Sequence, residues 1–150
     1  MNKKINIKNK RAKFDYYIKN KFTAGIVLSG TEIKSIRESK ASISESYCEF
    51  SETNELFIVN MNIEMYTHGN NFNHRPKAKR KLLLNKNELS KLYKEVKKTS
   101  LTIIPLNIFI NDKGIAKINI ALAQGKKLYD KRQVIKSKEI KRNLNKLRKS

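Results

Sequence analysis

The stretch LTIIPLNIFINDKGIAKINIALAQG, residues 101–125, decides the fold class. Two apolar, β-branched segments, Leu101 to Ile110 and Ile115 to Ala123, flank Asn111-Asp112-Lys113-Gly114, residue types that favour a hairpin turn. Upstream, Phe14 to Ile18 and Thr23 to Leu28 read as two further strands, with Asn20-Lys21 near the turn between them. Ser46 to Ser51 and Leu56 to Met61 form another expected hairpin around Thr53-Asn54, and Arg80 to Leu84 a short strand.

Two helices interrupt these strands. Ser29-Gly30-Thr31-Glu32 has the capping-box form, a hydroxyl followed three residues later by a carboxylate, and it opens a short helix with Ile33 and Ile36 inward, ending before Ser39. Asn85 and Glu88 repeat the box, and Leu84 and Leu89 hold the two positions of a hydrophobic staple. Leu89, Leu92, Tyr93 and Val96 then mark one buried helix face. Between Ile63 and Lys79 the chain has little periodicity and reads as a long surface loop.

About six short strands with two or three helices predict a mainly β domain, and closure into a small barrel removes the strand edges that would otherwise stand open. The expected division is a barrel over residues 1–125, with 1–8 a flexible basic arm, and a basic tail over 126–150. In the tail Ile140, Leu144 and Leu147 fall at helical spacing. Three apolar residues do not hold a helix in water, so the tail is expected to be disordered when free and to fold on a partner.

Thirty-four Lys and Arg face thirteen Asp and Glu, a net charge of +21 that favours a polyanionic partner, nucleic acid before an anionic membrane. The placement is uneven. Residues 1–13 hold six bases and no acid, and residues 126–150 carry a net +9, whereas Ala41 to Glu64 has five glutamates and no base. A one-sided binding surface follows. Cys48 is the single cysteine, so no internal disulfide forms, and no apolar run reaches the ~20 residues of a membrane span. A soluble, cytoplasmic protein is expected, monomeric and without a membrane partner.

No catalytic constellation is visible. His68 and His74 flank a polar loop with no second thiol and no metal-binding spacing, so loop packing or hydrogen bonding explains them, and neither an enzyme, a metal nor a cofactor is expected. Nucleic-acid features do cluster. Asn9, Lys10, Arg11 and Lys13 lead into Phe14, Tyr16 and Tyr17, joining phosphate-binding cations to rings that either stack on a base or fill the barrel. Arg75, Lys77, Lys79, Arg80 and Lys81 form a second basic run.

Four segments in order, NKRAKFDYYI (9–18), GTEIKSIR (30–37), YTHGNNFNHRPKAKRKLLLN (66–85) and GKKLYDKRQVIKSKE (125–139), together closely resemble the small protein B family, the SsrA-binding proteins of bacterial trans-translation. The resemblance implies an oligonucleotide-binding (OB)-type barrel that binds the tRNA-like domain of transfer-messenger (SsrA) RNA and delivers it to ribosomes stalled without a stop codon. It implies RNA contacts at Asn9, Lys10, Arg11, Glu32, Leu84, Asn85, Gly125, Lys126 and Lys127, to which the local cations Lys13, Arg80 and Lys81 are added. It also implies a tail that lies in the vacant messenger path of the small ribosomal subunit and touches its RNA through Tyr129, Asp130, Lys131, Arg132, Lys136 and Lys138. Glu32 and Asn85 are each divided between helix cap and RNA contact. Phe14, Ala78, Gln124 and Ile140 depart from the family pattern: at Phe14 only stacking remains, Ala78 weakens the case for the 75–81 run, and no contact is carried over to Gln124 or Ile140. The competing reading is a ribosomal protein or an unspecialised single-strand RNA binder.

Overall fold

The computed structural model describes residues 4–98 and 101–149. In chain order the elements are β1 (Asn6–Lys8), α1 (Ala12–Asp15), β2 (Tyr16–Ile26), α2 (Gly30–Arg37), β3 (Ala41–Ser42), β4 (Tyr47–Phe50), β5 (Leu56–Val59), β6 (Asn62–Ile63), a 3-10 turn (Asn70–Phe72), β7 (Arg80–Leu83), α3 (Lys86–Lys98), β8 (Thr102–Ile110), β9 (Ala116–Gly125) and α4 (Leu128–Lys149). The β8–β9 hairpin forms where the alternation and the turn residues place it. Asn111 Oδ1 accepts from the N–H groups of Lys113 and Ile115, and Gly114 takes the positive φ of 78° that a side chain would resist.

Seven strands hydrogen-bond in the order β1-β8-β4-β5-β7-β2-β9, and the further β8–β9 pairing closes the last strand back onto β8, leaving β1 outside. Strands β8, β4, β5, β7, β2 and β9 thus make a continuous antiparallel ring. The fold is mainly β with several helices, as the sequence predicts. Inside the ring Ile58, Ile103, Ile108, Ile118 and Ile120 are fully buried, and Ile36 of α2 and Leu92 of α3 join the same core. Each such side chain withdrawn from water contributes about 1.5–3 kcal/mol.

Several expectations are corrected. Asn20 and Lys21 do not turn the chain, because β2 runs through them with a register shift against β9 between Ile18 and Lys21. A bulge lets one long strand bend around the ring where two strands and a turn are expected. Phe14 lies in α1, which Arg11 and Asp15 close as an i,i+4 ion pair at 3.2 Å. Within the arm expected to be flexible, Asn6 to Lys8 pair with Phe109 to Asn107 of β8. The loop from Ile63 to Lys79 includes Ile63, which β6 pairs with Ala41 of β3, and the 3-10 turn.

The tail continues as helix α4, the form expected of it on a partner. Its start is fastened: the Lys126 N–H donates to the Asp15 carbonyl at 2.8 Å and the Lys131 ammonium lies 3.1 Å from the Asp15 carboxylate. Farther along, Ile135, Ile140 and Leu144 are exposed, so no apolar packing supports them.

Candidate nucleic-acid interface

Glu32, divided by the sequence between helix cap and RNA contact, and Arg80, expected at the RNA surface, are both withdrawn from solvent. The capping box at the start of α2 is complete, with the Ser29 hydroxyl accepting from Glu32 N–H at 3.4 Å and Ser29 N–H donating to Glu32 Oε1 at 2.8 Å. Glu32 Oε2 accepts from Arg80 Nε, so both carboxylate oxygens are occupied. Arg80 also donates to the carbonyls of Met61 (2.8 Å), Arg75 (3.0 Å) and Pro76 (3.1 Å), and is only 3% exposed. A buried guanidinium with four of its five N–H donors bonded inside the protein is not placed to reach a phosphate. Burial pushes the Glu32 carboxyl up, but the Ser29 N–H and the Arg80 guanidinium outweigh it and hold the group below its ordinary value. The pair fixes α2 and the 63–79 segment to the ring.

Its neighbours face outward. Strand alternation turns Lys79 and Lys81 to the surface on either side of Arg80, where Lys79 meets Glu49 at 2.8 Å and Lys81 meets Glu55 at 3.1 Å. The Glu49 carboxylate raises the Lys79 ammonium above its usual value. Lys81, expected at the interface, is therefore already matched by a surface carboxylate. Leu84 is half-buried against the core, and the exposed Asn85 caps α3, its Oδ1 accepting from Glu88 N–H at 2.8 Å.

The opposite end of the ring gathers residues from both ends of the chain. Asn9 is a structural fastener rather than a free contact, since its Nδ2 donates to the Pro105 carbonyl at 2.9 Å and its Oδ1 accepts from Arg11 N–H at 3.3 Å. Asp15 is the hub, paired with Arg11 and with Lys131. The Arg11 hydrogen bond chiefly, with Lys131 helping against partial desolvation, lowers the Asp15 carboxyl below its normal range. Arg11 and Lys131 also stand 5.4 Å and 5.8 Å from the centre of the Phe14 ring, a cation on each contact. Phe14 is thereby committed within the protein, while Tyr16 packs beside Ala12, Ile104 and Ala123.

Lys126 is not purely a free cation. Its ammonium donates to the Lys13 carbonyl at 2.9 Å and stands 4.9 Å from the centre of the Tyr17 ring. Lys10, Arg11, Lys13 and Lys127 are exposed around it, and Tyr17 is itself 43% exposed. At Gly125 a Cβ would meet nothing within 4 Å, so the surface there is open to close approach from outside. Lys131 is tied to Asp15, whereas Arg132, Lys136 and Lys138 are exposed along α4. Tyr129 and Asp130 fall in the first turn of α4, and their side chains lie outside the described residues.

The remaining chemistry-bearing groups have internal roles. His74 bridges Thr31 Oγ1 and the Ile63 carbonyl, each at 2.9 Å, and His68 sets its ring edge-on to Tyr66. Burial raises the Cys48 thiol far above its usual value, which leaves no reactive thiolate. Among the described residues no three His, Cys, Asp or Glu side chains come together to hold a metal. The residue that sequence reasoning missed is Asp15. Its signal was present: it is the one acid before Glu32, placed four residues after Arg11 and ahead of a basic tail.

Comparison with known proteins bears on this surface. The sequence profile of the SmpB protein family matches residues 6–150. An SsrA-binding protein of Christiangramia forsetii is 58% identical over 149 residues, covering 99% of this chain and 94% of the relative. One from Flavobacterium psychrophilum is 56% identical, with 99% of each chain covered, and one from Sphingopyxis alaskensis is 47% identical, with 97% and 89% covered. A solved chain described as "tmRNA-SmpB: a journey to the center of the bacterial ribosome" is 43% identical and superposes with a TM-score of 0.69, covering 83% of this chain and 86% of its own.

Proposed function

The chain belongs to the SmpB family, and from that premise we propose that it is the RNA-binding adaptor of trans-translation in its cell. Its partners are transfer-messenger RNA and the small ribosomal subunit, as the names of its relatives and of the ribosomal structure indicate. The strand ring serves as an OB-type barrel that seats the tRNA-like domain of that RNA. The carrying observation is the meeting of Lys10, Arg11 and Lys13 with Lys126 and Lys127 at one end of the ring, where the Lys126 ammonium touches the Lys13 carbonyl. Lysines there supply point charges to phosphates, and the open surface at Gly125 lets a backbone come close.

Residues 1–125 and 126–150 divide the work. Helix α4 is fastened through its start and has exposed apolar and cationic side chains beyond, so its order depends on what surrounds it. In a vacant messenger path walled by phosphate it has room and counter-charge, and where messenger fills the path it has neither. The mechanism is recognition and steric reading, with no bond made or broken, and its place of work is the cytoplasm where ribosomes translate. Among the described residues no helix is long and apolar enough to cross a membrane.

Two experiments test this reading. RNA co-purified with the tagged protein from its own cells at moderate salt should be dominated by one species with a tRNA-like end, and a broad mixture would favour an unspecialised binder. Deleting residues 133–150 retains Lys131 and its bond to Asp15, so affinity for the free RNA should hold within about twofold while tagging of stalled chains is lost. A large loss of free-RNA affinity would defeat the division of labour.

A further inference from the structure

A polar row crosses the outer face of four strands beside the α1–α4 junction. The registers set Lys8 of β1 opposite Asn107 of β8, Asn107 opposite Asn119 of β9, and Asn119 opposite Thr23 of β2. The side chains bond in one direction along it. Thr23 Oγ1 donates to Asn119 Oδ1 at 2.7 Å, Asn119 Nδ2 to Asn107 Oδ1 at 2.9 Å, and Asn107 Nδ2 to Asn6 Oδ1 at 2.9 Å. An amide has two N–H groups and an oxygen with two lone pairs, so Asn107 and Asn119 each keep donor and acceptor capacity after these bonds.

The row lies in an open groove of about 690 Å³ whose floor includes the half-buried Phe22, Ile18 and Leu106. Lys8, Lys10, Lys13 and Lys21 also line it, all four exposed. Among the described residues none of these four has a carboxylate within 4.0 Å, unlike Lys79, Lys81 and Lys131. A membrane surface would leave the amides unused, and an acidic peptide, whose backbone could pair with the amides, would not account for the groove's continuity with the Lys10 and Lys13 end of the RNA surface. A sugar–phosphate backbone uses both, with phosphates on the lysines and the ribose 2′-hydroxyl, itself donor and acceptor, on the amides.

We propose that the Asn6-Asn107-Asn119-Thr23 row is a track for the ribose–phosphate backbone of the tRNA-like RNA, entered from the α1–α4 junction through Lys10 and Lys13. This rests on the RNA-adaptor reading above and extends the binding surface to residues outside the basic motifs. Lys8 and Lys21 neutralise phosphates at its edges, and Asn107 and Asn119 distinguish ribose from deoxyribose.

The test uses the full chain and the isolated tRNA-like domain, with purified small ribosomal subunits as a second arm. Lys8→Ala with Lys21→Ala should flatten the salt slope of tRNA-like RNA binding by about one to two units and weaken it about tenfold at moderate salt. Asn119→Leu should cut the preference for an RNA strand over its 2′-deoxy counterpart by about fivefold or more while the lysine-dependent slope stays, a pattern that mere loss of packing does not produce. If that variant unfolds, the lysine pair alone decides. An unchanged slope and affinity in the lysine pair would overturn the track, and so would a defect confined to the ribosomal arm. Failure of the unaltered protein to bind the tRNA-like RNA at all would instead remove the adaptor reading.

Discussion

On the β4–β5–β7 side of the ring, Lys79 and Lys81 are each held by a surface glutamate and Arg80 between them turns inward to Glu32. On the side where α1 meets α4, Lys10, Lys13 and Lys127 stand exposed, and Asp15 anchors both Arg11 and Lys131. Both regions read as basic runs in the sequence. The difference lies in what each run meets after folding: the β4–β5 hairpin brings Glu49 and Glu55 against Lys79 and Lys81, whereas at the junction Glu45 lies near Arg11 and forms no ion pair with Lys10, Lys13 or Lys127. Net charge therefore locates a polyanion site only after the internal pairs are subtracted. The +21 of the chain is expressed mainly at the arm, the junction and α4.

The sharpest way to break this contrast is to remove one member of the buried pair. Arg80→Met leaves the Glu32 carboxylate buried without its charge partner, and such losses cost about 3–5 kcal/mol. Calorimetry should show that loss, while RNA affinity per folded molecule stays within about twofold of the original. Changing both partners, Glu32→Leu with Arg80→Met, should recover part of the stability. A stable single variant with weakened RNA binding would return Arg80 to the interface and erase the distinction between the two regions.

The same pair gives a pH dependence of fixed sign. The Glu32 carboxyl is held below its ordinary value in the folded chain, and so is that of Asp15. Their stabilising effect is present above the unfolded carboxylate range and is lost as pH falls through that range and below it. Thermal melts of the unaltered protein should therefore drop as pH is lowered from about 6 toward 3. Glu32→Gln should melt lower at neutral pH and lose a visible part of that acid sensitivity. An unchanged acid slope in Glu32→Gln would show that the pair carries no linkage.

How much of this was legible beforehand follows from the range of each signal. The capping box of α2, the Asn111 to Gly114 turn and the β8–β9 alternation act within a few residues, and each forms where the sequence puts it. Roles decided by distant partners were not legible. Arg80 finds Glu32 across 48 positions and Asn9 finds Pro105 across 96, so no local pattern distinguishes an inward arginine from an RNA-facing one. The bulge in β2 hid for a related reason: Asn20 and Lys21 are residues that turns favour, and only pairing with β9 shows that the strand continues. For α4 the apolar content is too low to announce a helix, and the fastening at Asp15 is a tertiary contact.

A smaller effect sharpens the comparison from the junction side. Lys126→Ala with Lys127→Ala should reduce the salt slope of RNA binding by about one to two units. Because the Lys126 ammonium also holds the Lys13 carbonyl, part of the loss in affinity should be independent of salt, coming from a loosened junction. Lys127→Ala alone separates the two, with a change in slope and none in melting temperature. A slope unmoved in both variants would take these lysines out of the interface.

The smallest expected effect is the most discriminating. Lys79→Ala and Lys81→Ala each remove one exposed ion pair, and exposed pairs contribute about 0–1 kcal/mol, so stability should barely move. If the β4–β5–β7 side is neutralised within the protein, the salt slope for RNA should also stay within about half a unit of the original. Both lysines sit in a run that a charge count ranks with the arm, so a uniform electrostatic attraction would predict the same slope change here as at Lys126 and Lys127. Measuring the two pairs under one set of salt concentrations therefore sets arrangement against total charge. Equal slope changes would mean that Glu49 and Glu55 release their lysines to phosphate and that both sides of the ring face RNA.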